Sequence, residues 1–214
     1  RPGAAPLPED EELGRILPVI ERLRDRIDVP LSVDTYKAGV AEKALDAGAF
    51  LINDISAMRF DPRMVEVAAG RGCPVVLMHI QGEPRSMQKD PVYADVVREV
   101  REHLDSRIAE LKKAGVRKEN IIVDPGFGFG KKQEHNLRLL KEVREFKETG
   151  CAVLAGASRK SMIGRVLDLP PDKRVEGTVA VSVYAAMAGV DIVRVHDVAE
   201  NVRALQMINA VLRA

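Results

Sequence analysis

The chain has 214 residues, of which 46% are hydrophobic and 30% are charged, and its net charge is +1. These values allow one domain with a full core, and the balanced charge excludes the basic surface typical of nucleic-acid-binding proteins. No apolar run approaches the roughly 20 residues that span a bilayer, so we predict no membrane segment. Cys73 and Cys151 are expected to be reduced, as in cytoplasmic proteins.

Helices and strands alternate after a turn-rich opening segment, residues 1–8. An amphipathic helix is predicted from Glu9 to Arg26, with a bend at Pro18. The predicted strands are Leu31–Asp34, Phe50–Asp54, Val75–His79, Ile121–Asp124, Ala152–Ser158 and Asp191–Val195. The other predicted helices are Ala38–Ala47, Pro62–Arg71, Tyr93–Ala114, Asn136–Thr149, Arg174–Ala188 and Asp197–Leu212. Glycines follow several helices, as expected where a helix turns back. Strict alternation predicts parallel strands in one α/β domain over residues 1–214.

Two architectures fit this α/β pattern: an open doubly wound sheet and a closed (β/α)8 barrel. Polar residues follow almost every strand, and they are Asp34, Asn53, Asp54, His79, Asp124, Ser158, Arg159, Lys160, Arg194 and His196. A doubly wound sheet concentrates its ligand contacts at one switch point, whereas a barrel collects them from all its strands. The even distribution favours the barrel. Because about six of the eight β/α units are visible, we expect two further strands to precede Arg1 in the natural protein.

Several of these polar residues also have a purely structural interpretation. Asp34 and Thr35 could cap the following helix, and Asn53 with Asp54 could form a turn. His79 is as consistent with a structural histidine as with a ligand. Both interpretations stay open at this stage.

Other candidates are weaker. His103 and His135 lie in helical patterns and are expected at the surface. The glycines of residues 126–130 do not form a phosphate-binding P-loop, because their spacing differs and Lys132 stands where Ser or Thr is required. No cysteine follows a strand, and Ser158 is flanked by cations, so we do not expect covalent catalysis.

As a set, the polar residues indicate an anionic ligand that carries a polar ring. Two acids and an amide suit a flat, nitrogen-rich heterocycle; they are Asp34, Asn53 and Asp124. Cationic side chains and a helix N-terminus suit phosphate or diphosphate. These groups are Lys160, Arg194, His196 and the helix that begins near Ser161.

Six motifs then carry a resemblance to a known family. In chain order they are SVDT at 32–35, INDI at 52–55, LMHIQG at 77–82, DPGFGFGK at 124–131, SRKSMIG at 158–164 and RVHD at 194–197. They resemble the successive motifs of the dihydropteroate synthases, in order and in spacing, over essentially the whole chain. Residues 1–4 resemble the end of that family's second mobile loop.

The resemblance implies a (β/α)8 barrel and a transferase of folate biosynthesis. Such enzymes join 6-hydroxymethyl-7,8-dihydropterin diphosphate to p-aminobenzoate with Mg2+, and sulfonamides compete for the aminobenzoate site. It also implies a cytoplasmic homodimer and a pterin-binding barrel domain over residues 1–214, lacking its first two strands. An asparagine of the family's first strand, expected near the magnesium, has no counterpart here, so the metal ligands stay unassigned.

The resemblance also implies a role for individual residues. The residues of the implied pterin pocket are Asp34, Asn53, Met78, Asp124 and Lys160. Arg194 and His196 are expected at the diphosphate. The residues expected to border the aminobenzoate are Arg1, Phe129, Lys160 and Ser161. Asp34, Asp124, Lys160 and Arg194 are the expected catalytic residues.

Two other functions are compatible with the sequence. A methyltetrahydrofolate–corrinoid methyltransferase shares the logic of the pterin pocket, but it does not need the cations of residues 158–160 and 194–196. An inactive pterin-binding fragment is the other alternative, because the strands expected before Arg1 are not part of the sequence.

Overall fold

The structure is a computed structural model that describes residues 6–214, so the expected role of Arg1 lies outside it. Its strands are β1 Ser32–Asp34, β2 Leu51–Asp54, β3 Val75–Met78, β4 Ile121–Asp124, β5 Ala152–Ala155 and β6 Ile192–Val193. Its α-helices are α1 Glu9–Arg24, α2 Ala38–Ala47, α3 Arg63–Arg71, α4 Val96–Lys113, α5 Gln133–Lys141, α6 Ser161–Leu167, α7 Val175–Met187 and α8 Val198–Leu212. None of these helices is long and apolar enough to cross a membrane.

The predicted strands are confirmed, and all of them pair in parallel in the order β1 to β6. Gly48 and Gly72 end α2 and α3 in the left-handed conformation, as their positions predicted. Pro18 lies inside α1, which continues on both sides of it. Both cysteines are buried and unpaired.

Three predicted elements are wrong in extent, and one of them is the strand expected over Asp191–Val195, which is reduced to Ile192–Val193. The helix expected over Asn136–Thr149 is divided into α5 and a 3₁₀ segment, Val143–Thr149. A 3₁₀ segment places residues three apart on one side, and Val143 and Phe146 accordingly both face the core. Strand β5 ends at Ala155 rather than Ser158, because the chain leaves the sheet there to enter the turn before α6.

The two faces of the sheet have different packing partners. Side chains alternate between the faces of a strand, so neighbouring residues belong to different layers. Ile52 and Leu77 belong to a large cluster that includes residues of the helices. The alternate face carries a small cluster formed by Val76, Ile122 and Leu154. The small cluster therefore lines the inner side of the sheet, and the helices cover its outer side.

A contact between the first and last strands shows that the sheet is strongly curved. In a flat sheet, five strand spacings of about 4.8 Å would separate β1 from β6 by roughly 24 Å. Nevertheless, the Arg194 guanidinium after β6 lies 2.5 Å from the Asp34 carboxylate at the end of β1. The side chains of Arg194 and Asp34 can meet only if the sheet curves so that β1 and β6 approach each other, as in a barrel. The expected barrel architecture is confirmed as a curved sheet of six parallel strands with helices outside.

The turn after β2 has an unusual backbone conformation that a helix residue supports. Ala57 and Met58 are fully buried and both have positive φ, 54° and 61°. Such residues cost free energy and persist when their surroundings hold them. The Arg107 side chain of α4, itself buried, donates to the Ala57 carbonyl at 2.8 Å and to the Met58 carbonyl at 3.3 Å. Arg107 therefore ties the outer helix layer to this turn.

We predict that Arg107→Met lowers the free energy of unfolding by about 2–4 kcal/mol, because two buried carbonyls lose their donor. Chemical denaturation measures this difference. Arg101→Met is the matched control on the same helix, since the Arg101 side chain is half-buried and its nearest acid, Glu145, is 3.6 Å away. A loss at position 107 no larger than that at position 101 would contradict the role of Arg107.

Candidate active site

Strand alternation separates the candidate residues into two groups. Asn53, Met78 and Asp124 each follow an inner-face residue of the same strand by two positions, so they point to the inner side. Asp34 pairs in register with Asn53, and Arg194 follows Ile192 by the same two-residue step. All five lie at the carboxyl ends of parallel strands, which form one rim of the curved sheet.

A hydrogen-bonded group joins three of the predicted residues. One Asp34 carboxylate oxygen accepts from the Asn53 amide at 3.0 Å and from the Arg194 guanidinium at 2.5 Å. Asn53 is buried, whereas the side chains of Asp34 and Arg194 are 47% and 60% exposed. Because they are this exposed, Asp34 and Arg194 can still reach a ligand at the rim. The alternative that Asp34 caps α2 is not borne out, because the first N–H of the helix, that of Ala38, donates to Asp61 Oδ2 at 2.8 Å. Thr35 Oγ1 accepts from the Lys37 N–H at 3.2 Å, so Thr35 has the local role that the alternative gave to this pair.

Asp124 is the more buried of the two acids at the rim, since it is 5% exposed. Its Oδ1 accepts from the Gly126 N–H at 2.8 Å, and its Oδ2 faces Gly156, where an added Cβ would lie 3.6 Å away. Burial raises the pKa of Asp124, while Lys160 and Gly126 act in the opposite direction. A buried carboxylate with a free lone pair is a strong acceptor for N–H donors of a ligand.

Lys160 lies between β5 and α6, next to Asp124. Its Nζ donates to the Phe127 carbonyl and lies 4.6 Å from the centre of the Phe129 ring. Burial lowers the pKa of Lys160 to about 8, with Asp124 opposing this effect. Ser161 is exposed at the first position of α6. Lys160 and Phe129 together form an amphipathic wall with a cation over an aromatic face.

The predicted cationic cluster is only partly free for an anion. Arg159 makes a bidentate ion pair with Asp197, which occupies two of its guanidinium nitrogens. Ser158 Oγ accepts from the His196 backbone N–H at 3.1 Å and lies 2.9 Å from His196 Nδ1. The Ser158 hydroxyl can then donate to Nδ1, which places the imidazole proton on the exposed Nε2.

Asp54 points to the outer side and serves the turn after β2. It is fully buried, and its Oδ1 accepts from the Ser56 N–H and hydroxyl, both at 2.7 Å. Its Oδ2 has no hydrogen-bond partner. Burial raises the pKa of Asp54 from 3.8 to about 6, and the Ser56 hydroxyl opposes this shift. The turn-forming alternative therefore applies to Asp54, and Asn53 belongs to the rim.

The histidines near β3 belong to the outer layer. His79 Nδ1 lies 2.9 Å from Lys131 Nζ, and burial lowers the pKa of His79, so its ring is neutral and structural. The expectation that His103 and His135 lie free at the surface is wrong. His103 packs edge-on against His79 at 5.0 Å, and His135 packs against Tyr93 at 5.0 Å. Both histidines are half-buried in the structure. The sequence did not predict this, because helical periodicity places both residues outside the apolar stripe.

Comparison with known proteins gives a consistent result. A protein-family model with the description "Pterin binding enzyme" matches residues 1–196. The chain is 46% identical over 214 residues to the dihydropteroate synthase of Escherichia coli strain K12, covering 100% of this chain and 76% of that protein. The chain belongs to the dihydropteroate synthase family.

Solved structures of this family have the same fold. A Yersinia pestis dihydropteroate synthase with a bound sulfonamide drug superposes with a TM-score of 0.97 at 47% identity, over 100% of this chain and 78% of that one. A Xanthomonas albilineans dihydropteroate synthase with 4-aminobenzoic acid gives a TM-score of 0.95 at 45% identity, over 100% and 76%. These comparisons support the first of the three functions that the sequence left open.

The rim offers few candidate metal ligands within residues 6–214. No group of three or more His, Cys, Asp or Glu residues is arranged to hold a metal ion in this part of the chain. Asp34 already bonds to Asn53 and Arg194, and Asp124 to Gly126. The described protein groups alone do not make a magnesium site, since Mg2+ requires near-octahedral oxygen ligands.

We predict a pH-dependent effect of Asp54→Asn. The pKa of Asp54 is raised from 3.8 to about 6 on folding, so ionisation of this acid costs stability fully above pH 6 and progressively less below it. The Asn side chain carries no such charge. When the pH is raised from 5 to 8, the free energy of unfolding of the variant should therefore increase relative to that of wild type by about 1–1.5 kcal/mol. Urea denaturation at the two pH values measures it. A constant difference, or one of opposite sign, would refute the buried ionised acid.

Proposed function

We propose that the protein condenses 6-hydroxymethyl-7,8-dihydropterin diphosphate with p-aminobenzoate, giving 7,8-dihydropteroate and pyrophosphate. The observation that carries this proposal is the convergence of two acids, an amide and two cations on one inner rim. They are Asp34, Asn53, Asp124, Lys160 and Arg194. Family membership supports the same reaction. The assignment of individual residues to substrate atoms is part of the proposal.

The buried acid suits recognition of the pterin ring. A dihydropterin presents an amino group and ring N–H groups along one edge, and these are donors. Asp124 would accept two of them, because its Oδ2 faces the open side next to Gly156. Asn53 would add an amide contact, and Met78 an apolar wall. The interaction is strong because it forms in a site from which water is largely removed.

The exposed cations suit the diphosphate. Arg194 uses one guanidinium nitrogen on Asp34, so its other N–H groups remain available for phosphate oxygens. His196 would add the N–H on its Nε2. Both side chains lie outside the buried pterin pocket, as a diphosphate tail requires. Electrostatic stabilisation of the leaving group is the expected contribution of these two residues.

The chemical step is substitution at carbon. The nitrogen lone pair of p-aminobenzoate forms a C–N bond to the pterin methylene, the C–O bond breaks, and its electron pair leaves with the diphosphate. The amine then loses one proton to solvent or to the departing diphosphate. Positive character on the methylene is stabilised by electron donation from the dihydropterin ring and by the nearby Asp34 carboxylate. The arylamine would lie against the Phe129–Lys160 wall, where a sulfonamide would compete with it.

Magnesium belongs to this proposal as a counter-ion of the diphosphate. Mg2+ is often held by one or two carboxylates together with substrate phosphates, so it does not require a protein cage. When bound, it would neutralise charge on the leaving group. The protein residues would orient the substrate and accept hydrogen bonds from its ring N–H groups.

The proposed assembly is a cytoplasmic homodimer. Supporting it, α7 and α8 pack together and carry exposed apolar side chains, a pattern typical of interaction surfaces. Those exposed by more than half are Met187, Val198, Met207, Val211 and Leu212. A single-protomer mass in multi-angle light scattering would contradict the dimer. Recovery of the protein outside the cytoplasmic fraction would contradict its location.

We predict that the purified protein releases pyrophosphate only when both the pterin diphosphate and p-aminobenzoate are present. A coupled pyrophosphate assay measures this dependence. Release that does not require p-aminobenzoate, or no release at all, would refute the proposed reaction. The requirement for both substrates also separates this function from that of a methyltransferase or a pterin-binding protein without activity.

Two variants test the proposed residue roles by calorimetry. Asp124→Ala should weaken binding of the pterin diphosphate by about 100-fold or more, because ring donors lose a charged acceptor. Arg194→Ala should weaken binding of the diphosphate by about tenfold or more, and that of the bare 6-hydroxymethyl-pterin much less. Arg203→Ala, on the exposed face of α8, is the control. Near-native affinity at position 124, or equal losses for both ligands at position 194, would contradict these roles.

A further inference from the structure

Lys131 is a buried lysine that the proposed reaction does not use, and it is 3% exposed. Its Nζ lies 2.9 Å from the Gly126 carbonyl oxygen, 3.0 Å from that of Phe129 and 2.9 Å from His79 Nδ1. The His79 carbonyl oxygen lies farther away, at 3.4 Å. These acceptors satisfy the three N–H donors of a protonated amine and so favour its charged form. Burial lowers the pKa of Lys131, and the Asp124 carboxylate acts in the opposite direction.

These contacts hold the glycine loop, residues 125–130, against the chain that follows β3. The two backbones lie unusually close together. An added Cβ at Gly126 would overlap the His79 carbonyl, and one at Gly130 would lie 2.6 Å from the Gln81 carbonyl oxygen. Both glycines also have positive φ, which other residues rarely adopt. Lys131 donates from the outer side to the Gly126 and Phe129 carbonyls of this loop, and the Gly126 carbonyl also accepts from the Phe129 N–H.

The opposite side of the same loop contacts the proposed site. The Gly126 N–H donates to Asp124 Oδ1 at 2.8 Å, and the carbonyl of the same glycine accepts from Lys131. The Phe127 carbonyl accepts from Lys160, and the Phe129 ring lies beneath its Nζ. The peptide groups that Lys131 holds are therefore next to, or identical with, those that fix the geometry of the site.

We propose that Lys131 is a positioning residue of the active site. Its ammonium group holds the glycine loop from behind, so that the Asp124 carboxylate and the Phe129–Lys160 wall keep their places. Lys131 itself touches no substrate. Its effect on catalysis rests on the proposed function, whereas its effect on the loop does not.

The first test compares two adjacent lysines. Lys131→Ala should lower kcat/KM by about 100-fold, because small displacements of site groups carry losses of this size. It should also raise KM for p-aminobenzoate more than KM for the pterin diphosphate, since the loop carries the Phe129 wall. Lys132→Ala is the matched control, because Lys132 points outward to Asp90. A Lys131→Ala enzyme within threefold of wild type would overturn the proposal.

Chemical rescue tests whether the ammonium itself acts. Lys131 also borders an open cleft of about 450 Å³, which gives small molecules a route to the space left by the side chain. Addition of n-propylammonium, which replaces the missing atoms, should restore kcat/KM of Lys131→Ala by about tenfold, and n-propanol should not. Equal effects of the two compounds, or no effect of either, would show that the charge does not position the loop.

Hydrogen exchange separates this proposal from the proposed reaction, because it needs no substrate. The Phe129 N–H donates to the Gly126 carbonyl that Lys131 binds, at 3.1 Å. Its exchange should be at least tenfold faster in Lys131→Ala and unchanged in Lys132→Ala. If wild type lacks activity but shows this pattern, the reaction is refuted and the positioning role stands. Unchanged exchange in an active enzyme overturns the positioning role alone.

A second pair of variants applies if Lys131→Ala does not fold. His79→Asn keeps an acceptor near the position of Nδ1, whereas His79→Leu removes it. We expect His79→Asn to retain activity and Phe129 exchange within threefold of wild type, and His79→Leu to change both by about tenfold. Equal effects of the two substitutions would overturn the proposal, because the acceptor for Lys131 would then be irrelevant.

Discussion

The alternation of side chains on parallel strands is the constraint on which the site depends. On β2 and β3, neighbouring residues have opposite functions: Asn53 faces the inner rim while Asp54 supports a turn, and Met78 faces the rim while His79 faces the helices. Curvature then brings the rim residues together, since the side chain of Arg194 reaches Asp34 from the other end of the sheet. A shift of one residue in any strand would exchange a ligand-facing group for a structural one.

The pair formed by Asp34 and Arg194 combines a structural and a chemical property. Both side chains are about half exposed, so their attraction is screened by water and adds little to stability. A weak pair of this kind can open at small cost when a ligand offers stronger partners. A diphosphate would be such a partner for Arg194, which would leave the Asp34 carboxylate near developing positive charge. The arrangement is therefore suited to exchange of partners during a reaction, whereas the buried Asp124 is suited to permanent recognition.

A second polar layer lies behind the rim, and it differs in character from the first. Arg107 and Lys131 are buried cations that donate to backbone carbonyls of the turn after β2 and the loop after β4. Both donate to carbonyl oxygens of residues in or next to a backbone segment with positive φ, so each supports an unusual backbone conformation. Loops that carry binding residues need such support, because they have few apolar contacts of their own.

The sequence by itself determined the order of the elements, the parallel sheet and the identity of the polar residues at the strand ends, because periodicity and glycine positions are local properties. It also determined the family, through motifs such as that of residues 124–131. Only the tertiary structure decided which of two adjacent polar residues faces the rim, that Arg159 is bound by Asp197, and that Lys131 is buried. These outcomes depend on contacts between residues distant in the chain, and local pattern does not encode them.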